Sequence, residues 1–262
     1  MPVLYSSTVG ADPGDPSKVY RIGSVVDLKA VNTSKSASSA ISIEILRHIT
    51  VLTYRRSQVV LAKLVNGHLT AANSDKSVLR NGSNLVAKFF DPSYAIAESV
   101  WEGGSVESCA RVRNNELAAY TRLQQLQGTN VPLFFGEYTS KIRRHSESEG
   151  THVGVLLFEF VSDPILSDYF PDNFTSADSA SLKLAAFSVL DRVHKNGVYH
   201  HDIARRNMFW NCESKEFKLF DFEFATFDNG SFADKIREWE DSDISMMYSE
   251  LREFGIVDDR NT

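Results

Sequence analysis

Cysteine is scarce in this chain of 262 residues. Cys109 and Cys212 offer no framework for a disulfide-stapled fold and no thiolate pair spaced for zinc, and they fit a reducing compartment. Basic charge is short as well: 28 Lys and Arg against 34 Asp and Glu leave a net charge of −6, which argues against nucleic acid as a main partner. No apolar run approaches the length that crosses a bilayer, so no membrane partner is expected. The opening residues Met1-Pro2-Val3-Leu4-Tyr5-Ser6-Ser7 lack the basic start and apolar core of a signal peptide, and the expected location is the cytoplasm or the nucleus.

What is present is an ordinary globular balance, with hydrophobic residues at 42% and charged residues at 24%. The length suits one large domain or two lobes sharing a cleft. Residues 1 to 40 are rich in Ser, Gly, Asp and Pro and read as a mobile extension, although Val25-Val26-Asp27-Leu28 has the makings of a pairing segment. From Ile41 the pattern tightens into strand candidates. Residues 65 to 84 read as a long loop marked by Asn66-Gly67 and Asn81-Gly82.

The chemistry concentrates in Tyr199-His200-His201-Asp202-Ile203-Ala204-Arg205-Arg206-Asn207 and in Leu219-Phe220-Asp221-Phe222. An Asp, an Asn five residues on and an Asp fourteen residues beyond that are the kit of phosphoryl transfer. One carboxylate orients the acceptor hydroxyl and takes its proton, while an amide and a second carboxylate hold magnesium. Magnesium is a hard ion that prefers oxygen and takes only one or two carboxylates from protein. His, Asp and Asn also suit any polar turn, but turn chemistry does not account for the joint spacing or for the apolar strands on both sides.

His200-His201-Asp202 with Asn207 resembles the H-R-D-x-x-x-x-N loop of the protein-kinase-like superfamily, and Asp221-Phe222-Glu223 resembles its D-F-G. The resemblance spans roughly residues 50 to 225 and is strongest from 182 to 223. It is closest in character to small atypical, fungal-type kinase-like proteins. It implies an α+β, two-lobed fold, with a β-rich N-lobe over residues 41–161 and a shortened helical C-lobe over 162–262, and with ATP and magnesium between them. Asp202 is then the base, and Asn207 and Asp221 are the metal ligands. Arg206, four residues after Asp202, neutralises charge on the transferring phosphoryl group, unless it is a plain solvent-facing Arg. His200 braces the loop.

The earlier motifs are looser. Val59 and Ala62 fit the end of G-x-G-x-x-G-x-V-x-x-A as nucleotide-contacting positions, but the glycines fall on Leu52, Tyr54 and Ser57. Lys88 in Asn84-Leu85-Val86-Ala87-Lys88-Phe89-Phe90 resembles the phosphate-anchoring lysine of V-A-I-K, and equally fits the wet face of an edge strand. Its partner by resemblance is Glu116, on a helix expected from Asn114 to Gly128, with Glu102 and Glu107 as rivals. Two strands, Val131–Tyr138 and Val153–Val161, flank a charged loop. The second leads to a hinge where Phe158 is the gatekeeper and the backbones of Glu159 and Val161 receive adenine. Ser176 to Gly197 reads as an amphipathic helix delivering the catalytic loop.

The expected activity is ATP- and magnesium-dependent transfer to a hydroxyl acceptor, of the protein Ser/Thr type. A small-molecule kinase of the choline or aminoglycoside type is the alternative, favoured by Asp-Phe-Glu and by the missing A-P-E. A pseudokinase binding module, favoured by the missing glycines, is the third.

Overall fold

The computed structural model describes residues 15–31, 39–50, 56–71, 78–95, 106–144, 150–230 and 233–258. The chain starts with a one-turn helix, α1 (Pro16–Val19), whose cap Asp15 accepts the Ser17 N–H. Strands β1 (Val25–Ala30), β2 (Ala40–Thr50) and β3 (Gln58–Asn66) follow, then the small hairpin β4 (Leu69–Thr70) and β5 (Val78–Leu79), and then β6 (Asn84–Phe90). Helices α2 (Pro92–Ala95) and α3 (Val106–Arg122) lead to β7 (Phe134–Ile142) and β8 (Thr151–Glu159). Helix α4 (Ser176–Lys195), short strands β9 (Val198–Tyr199), β10 (Met208–Asn211), β11 (Glu216–Leu219) and β12 (Thr226–Phe227), and helix α5 (Ala233–Leu251) complete the order.

The six long strands close into an antiparallel barrel in the order β1-β2-β3-β6-β8-β7. Closure is the work of β1, which pairs Val25 to Lys29 with β2 and Lys29 and Ala30 with β7. This overturns the expected two-lobed kinase-like fold: among the described residues the chain is a closed barrel with few helices. The physical reason lies partly in the stretch expected to be mobile. Its residues 15–31 supply α1 and the sixth strand, and Tyr20, just after α1, donates its hydroxyl to Asp91 at 2.7 Å. Asp91 is fully buried and ion-pairs with Arg144 at 2.5 Å, so the N-terminal segment is bolted to the barrel through a satisfied buried charge. Residues 1–14 and 32–38 lie outside the described residues.

Strand alternation divides the barrel wall into two apolar faces. Leu85, Ala87 and Phe89 of β6, Val60, Ala62 and Leu64 of β3, and Val155 and Leu157 of β8 point inward to one core. Phe90, Leu156 and Phe158 point outward to a second core. That second core runs without a break through Tyr120 of α3, Leu190 and Val193 of α4, and Trp210, Met247 and Phe254. Barrel wall and helices therefore share one hydrophobic body.

Helix α3 begins eight residues earlier than the expected Asn114 start, at Val106, and ends at Arg122. Asn114 and Asn115 sit inside it. Helix α4 starts where expected: Thr175 accepts the Asp178 N–H, Asp178 accepts the Thr175 N–H, and Gly197, with φ of 67°, ends the turn beyond Lys195.

Candidate active site

The site is built on the outward face of β6. Lys88 is directly opposite Val59 on β3 and Leu156 on β8, so all three side chains point away from the barrel interior. Its side chain is only 7% exposed, and an ammonium there needs partners. It has three. Glu116 of α3 lies 2.8 Å away, Asp221 2.5 Å, and Glu223 3.2 Å. Glu116 is thus the helix carboxylate that meets Lys88. Glu102 lies outside the described residues, as do Leu52 and Tyr54 at two of the positions where glycine was sought.

Burial works against the Lys88 charge, but Asp221, Glu116 and Glu223 outweigh it and hold the ammonium well above its ordinary pKa. Burial pushes the Glu116 carboxyl up, more than Lys88 draws it down. Burial also raises Asp221, but Lys88 dominates and keeps this carboxyl below its ordinary value. Three carboxylates around one ammonium carry a net charge of −2 when ionised.

The loop from His200 to Asn207 delivers the remaining groups. Asn207 donates its amide N–H to the Asp202 carbonyl and to Asp202 Oδ2, both at 2.9 Å. Its nitrogen is committed, and its oxygen is the side left for a cation. Phe220 N–H donates to the Asn207 carbonyl at 3.1 Å, which locks the residue before Asp221 to Asn207. Arg206 closes on Asp202, its Nη2 lying 2.6 and 2.8 Å from the two carboxylate oxygens. At 64% exposure its side chain is free to leave.

Two non-glycine residues here hold positive φ, His201 at 59° and Asp221 at 68°. Such backbone costs roughly 1–3 kcal/mol per residue and persists only where the surroundings enforce it. The enforcement is visible. Asp243 of α5, fully buried, accepts the N–H of His200 at 2.7 Å and of His201 at 2.8 Å, and pairs with His194 Nε2 at 3.0 Å. His200 donates Nε2–H to the Phe220 carbonyl at 3.0 Å and accepts the Asp202 N–H on Nδ1 at 3.2 Å. Burial lowers its pKa, and this neutral tautomer uses both ring nitrogens. It braces the loop, as the resemblance implies. His201 Nε2 lies 2.7 Å from the Thr226 hydroxyl.

Of the positions expected to contact nucleotide, Val59 flanks Lys88 on the outer face, Glu159 ends β8, and Val161 follows it. The Glu159 N–H donates to the Leu133 carbonyl at 2.9 Å, and its carboxylate accepts the Leu133 N–H at 3.0 Å. Ala62 is a correction. It is fully buried in the barrel interior, paired with Ile45 and Leu85, because three residues along a strand reverse the face. Val86, two residues before Lys88 and on its face, opposite Phe158, is the residue that sequence reasoning missed there.

Asp243 was missed too. Its signal was available: Asp243, Met247 and Leu251 recur every four residues, so a lone carboxylate sits on the apolar stripe of a helix. Glu223 was read only as a substituted glycine, because its proximity to Lys88 is a long-range fact.

The donor set suits magnesium. Asn207 and Asp221 offer hard oxygens, and the Oε2 atoms of Glu116 and Glu223 face the Lys88 ammonium at 2.8 and 3.2 Å. Among the described residues no group of three or more His, Cys, Asp or Glu is arranged to hold a metal on its own. No helix among the described residues is long and apolar enough to cross a membrane. No protein-family model matches the chain, and no curated protein matches it in sequence.

Proposed function

We propose that this chain is an ATP- and magnesium-dependent phosphotransferase acting on an alcohol, with site residues arranged as in protein-kinase-like enzymes but carried on a closed barrel. The observation that carries the reading is the meeting of Lys88, Glu116 and Asp221 within 2.8 Å contacts, next to an Asp202 held by Asn207. These groups come from separate stretches of sequence, and a scaffold has no chemical need for all of them.

In this reading the Lys88 ammonium, kept charged and oriented by Glu116, anchors the phosphates. Val59 and Val86 flank the adenine, with the Glu159 carbonyl and the Val161 N–H at its edge. Asp202 orients the acceptor hydroxyl and takes its proton. Arg206 exchanges its contact with Asp202 for the transferring group. Magnesium held by Asn207 and Asp221 would neutralise charge on the phosphate oxygens.

A small alcohol is favoured over a protein side chain as acceptor. Residues 224 to 232 alone separate Glu223 from α5, too short a connection to build a docking segment for a peptide.

The test is the melting temperature with and without Mg·ATP. A ligand at about a hundred times its dissociation constant adds about 2.7 kcal/mol, or roughly several degrees for a chain of this size. The shift should need magnesium and vanish in Asp221→Asn. A panel of hydroxyl compounds should then support ATP turnover that Asp202→Asn lowers by about a hundredfold or more. A shift with no turnover on any acceptor would leave a binding module instead.

A further inference from the structure

Glu223 stands where the resembled D-F-G motif has glycine, and it brings a third carboxylate to Lys88. Its side chain is 15% exposed and its Oε2, 3.2 Å from the ammonium, makes no hydrogen bond. The backbone holds it there: Asn115 Nδ2 donates to the Glu223 carbonyl at 3.2 Å, fixing this loop to α3 beside Glu116. A polyphosphate approaching Lys88 therefore meets a cluster that, with its three carboxylates ionised, carries two negative charges in excess. The ammonium that would attract it is shared among three carboxylates.

We infer that Glu223 is a positioning residue that makes nucleotide binding depend on a divalent cation, so that metal-free nucleotide is refused and only the metal complex is admitted. The inference rests on the phosphotransferase reading and specifies its regulation. Without Glu223 the cluster would hold two carboxylates and one ammonium, an excess of one charge, and repulsion of bare phosphate would fall by half. A divalent ion brings the full cluster to neutrality. Lys88 can then give up one carboxylate for a phosphate oxygen without leaving it unpaired. A unit charge at such a distance in partly buried surroundings is worth a factor of ten or more in binding.

The experiment is calorimetric titration of the full chain with a non-hydrolysable ATP analogue, in magnesium and in EDTA, for wild type, Glu223→Gln and Glu223→Asp. Wild type should bind at least about a hundredfold more weakly in EDTA, and Glu223→Gln should narrow that ratio by about tenfold or more, chiefly by tighter metal-free binding. Glu223→Asp should keep the wild-type ratio. A residue with a merely structural role would change both affinities together and leave the ratio alone. Wild-type binding in EDTA within about threefold of that in magnesium, or an unchanged ratio in Glu223→Gln, overturns the inference and leaves the phosphotransferase reading standing. No binding of the magnesium complex by wild type overturns that reading, and the inference with it.

Discussion

Asp243 accepts the backbone N–H of His200 at 2.7 Å from a helix that begins beyond every residue assigned to the chemistry. The same carboxylate holds the His201 N–H and the His194 ring, so one buried side chain fixes the start of the His200–Asn207 loop. Removing it leaves two buried donors and a His without partners. Asp243→Ala should cost about 2–4 kcal/mol, read as a loss in denaturant midpoint, with Asp243→Asn losing less.

The same residue sets an acid limit. Burial raises the Asp243 pKa, but His194 and the two loop amides outweigh it and hold the carboxyl below its ordinary 3.8. The folded pKa is depressed, so the stabilisation is complete above the unfolded value and drains away as pH falls below it. Acid unfolding followed by circular dichroism should be less steep below about pH 4 in Asp243→Asn than in wild type.

Lys88→Met should be destabilising in proportion to pH. It leaves Glu116, Asp221 and Glu223 facing one another without a cation, which costs about 3–5 kcal/mol when the carboxylates are ionised. Burial already raises Glu116, and loss of the ammonium raises it further. Protonation relieves the repulsion, so the melting deficit relative to wild type should shrink from about pH 8 to about pH 5. A deficit constant across that range would mean that the carboxylates do not share a field.

Gly154 on β8 is packed under Arg113 of α3. An added Cβ would sit 2.8 Å from Arg113 Cδ and closer still to its guanidinium, while Arg113 is held by Glu137 at 3.4 Å. Gly154→Ala should destabilise by about 1–3 kcal/mol, and Arg113→Ala in the same chain should recover part of it. A double-mutant cycle on thermal unfolding measures the coupling, and strict additivity would place the two residues apart.

Leu28 tests the closure of the barrel. It is 2% exposed on β1, opposite Ile41, in the interior core. Leu28→Ala should cost about 2–4 kcal/mol, where a mobile extension would cost nothing.

That contrast marks where the sequence is legible. The late motifs are local, so Asp202, Asn207 and Asp221 could be singled out by their spacing, and α4 announced itself through the run that starts at Ser176 and the stop at Gly197. The pairing of Lys88 with Glu116 came from the resemblance to the kinase-like superfamily, and the structure brings the two within 2.8 Å. Barrel closure could not be read, since it depends on β1 meeting β7 more than a hundred residues away. The start of α3 hid in a stretch of Ser, Arg and Asn with little apolar period, and Ala62 was placed by motif when strand parity put it on the other face. Glu223 acts through residues far off in sequence, and only the side it faces reveals it.

The closed ring of six strands has a further consequence for recognition. An open sheet offers its last strand as a template, and extended peptides or a second copy can add to it by backbone pairing. Here β1 closes on β7 through Lys29–Thr139 and Ala30–Tyr138, so among the described residues the six long strands leave no fully open edge. Whatever this chain engages through the barrel must be met by side chains and loops, which gives selectivity to shape and charge and none to a generic extended backbone.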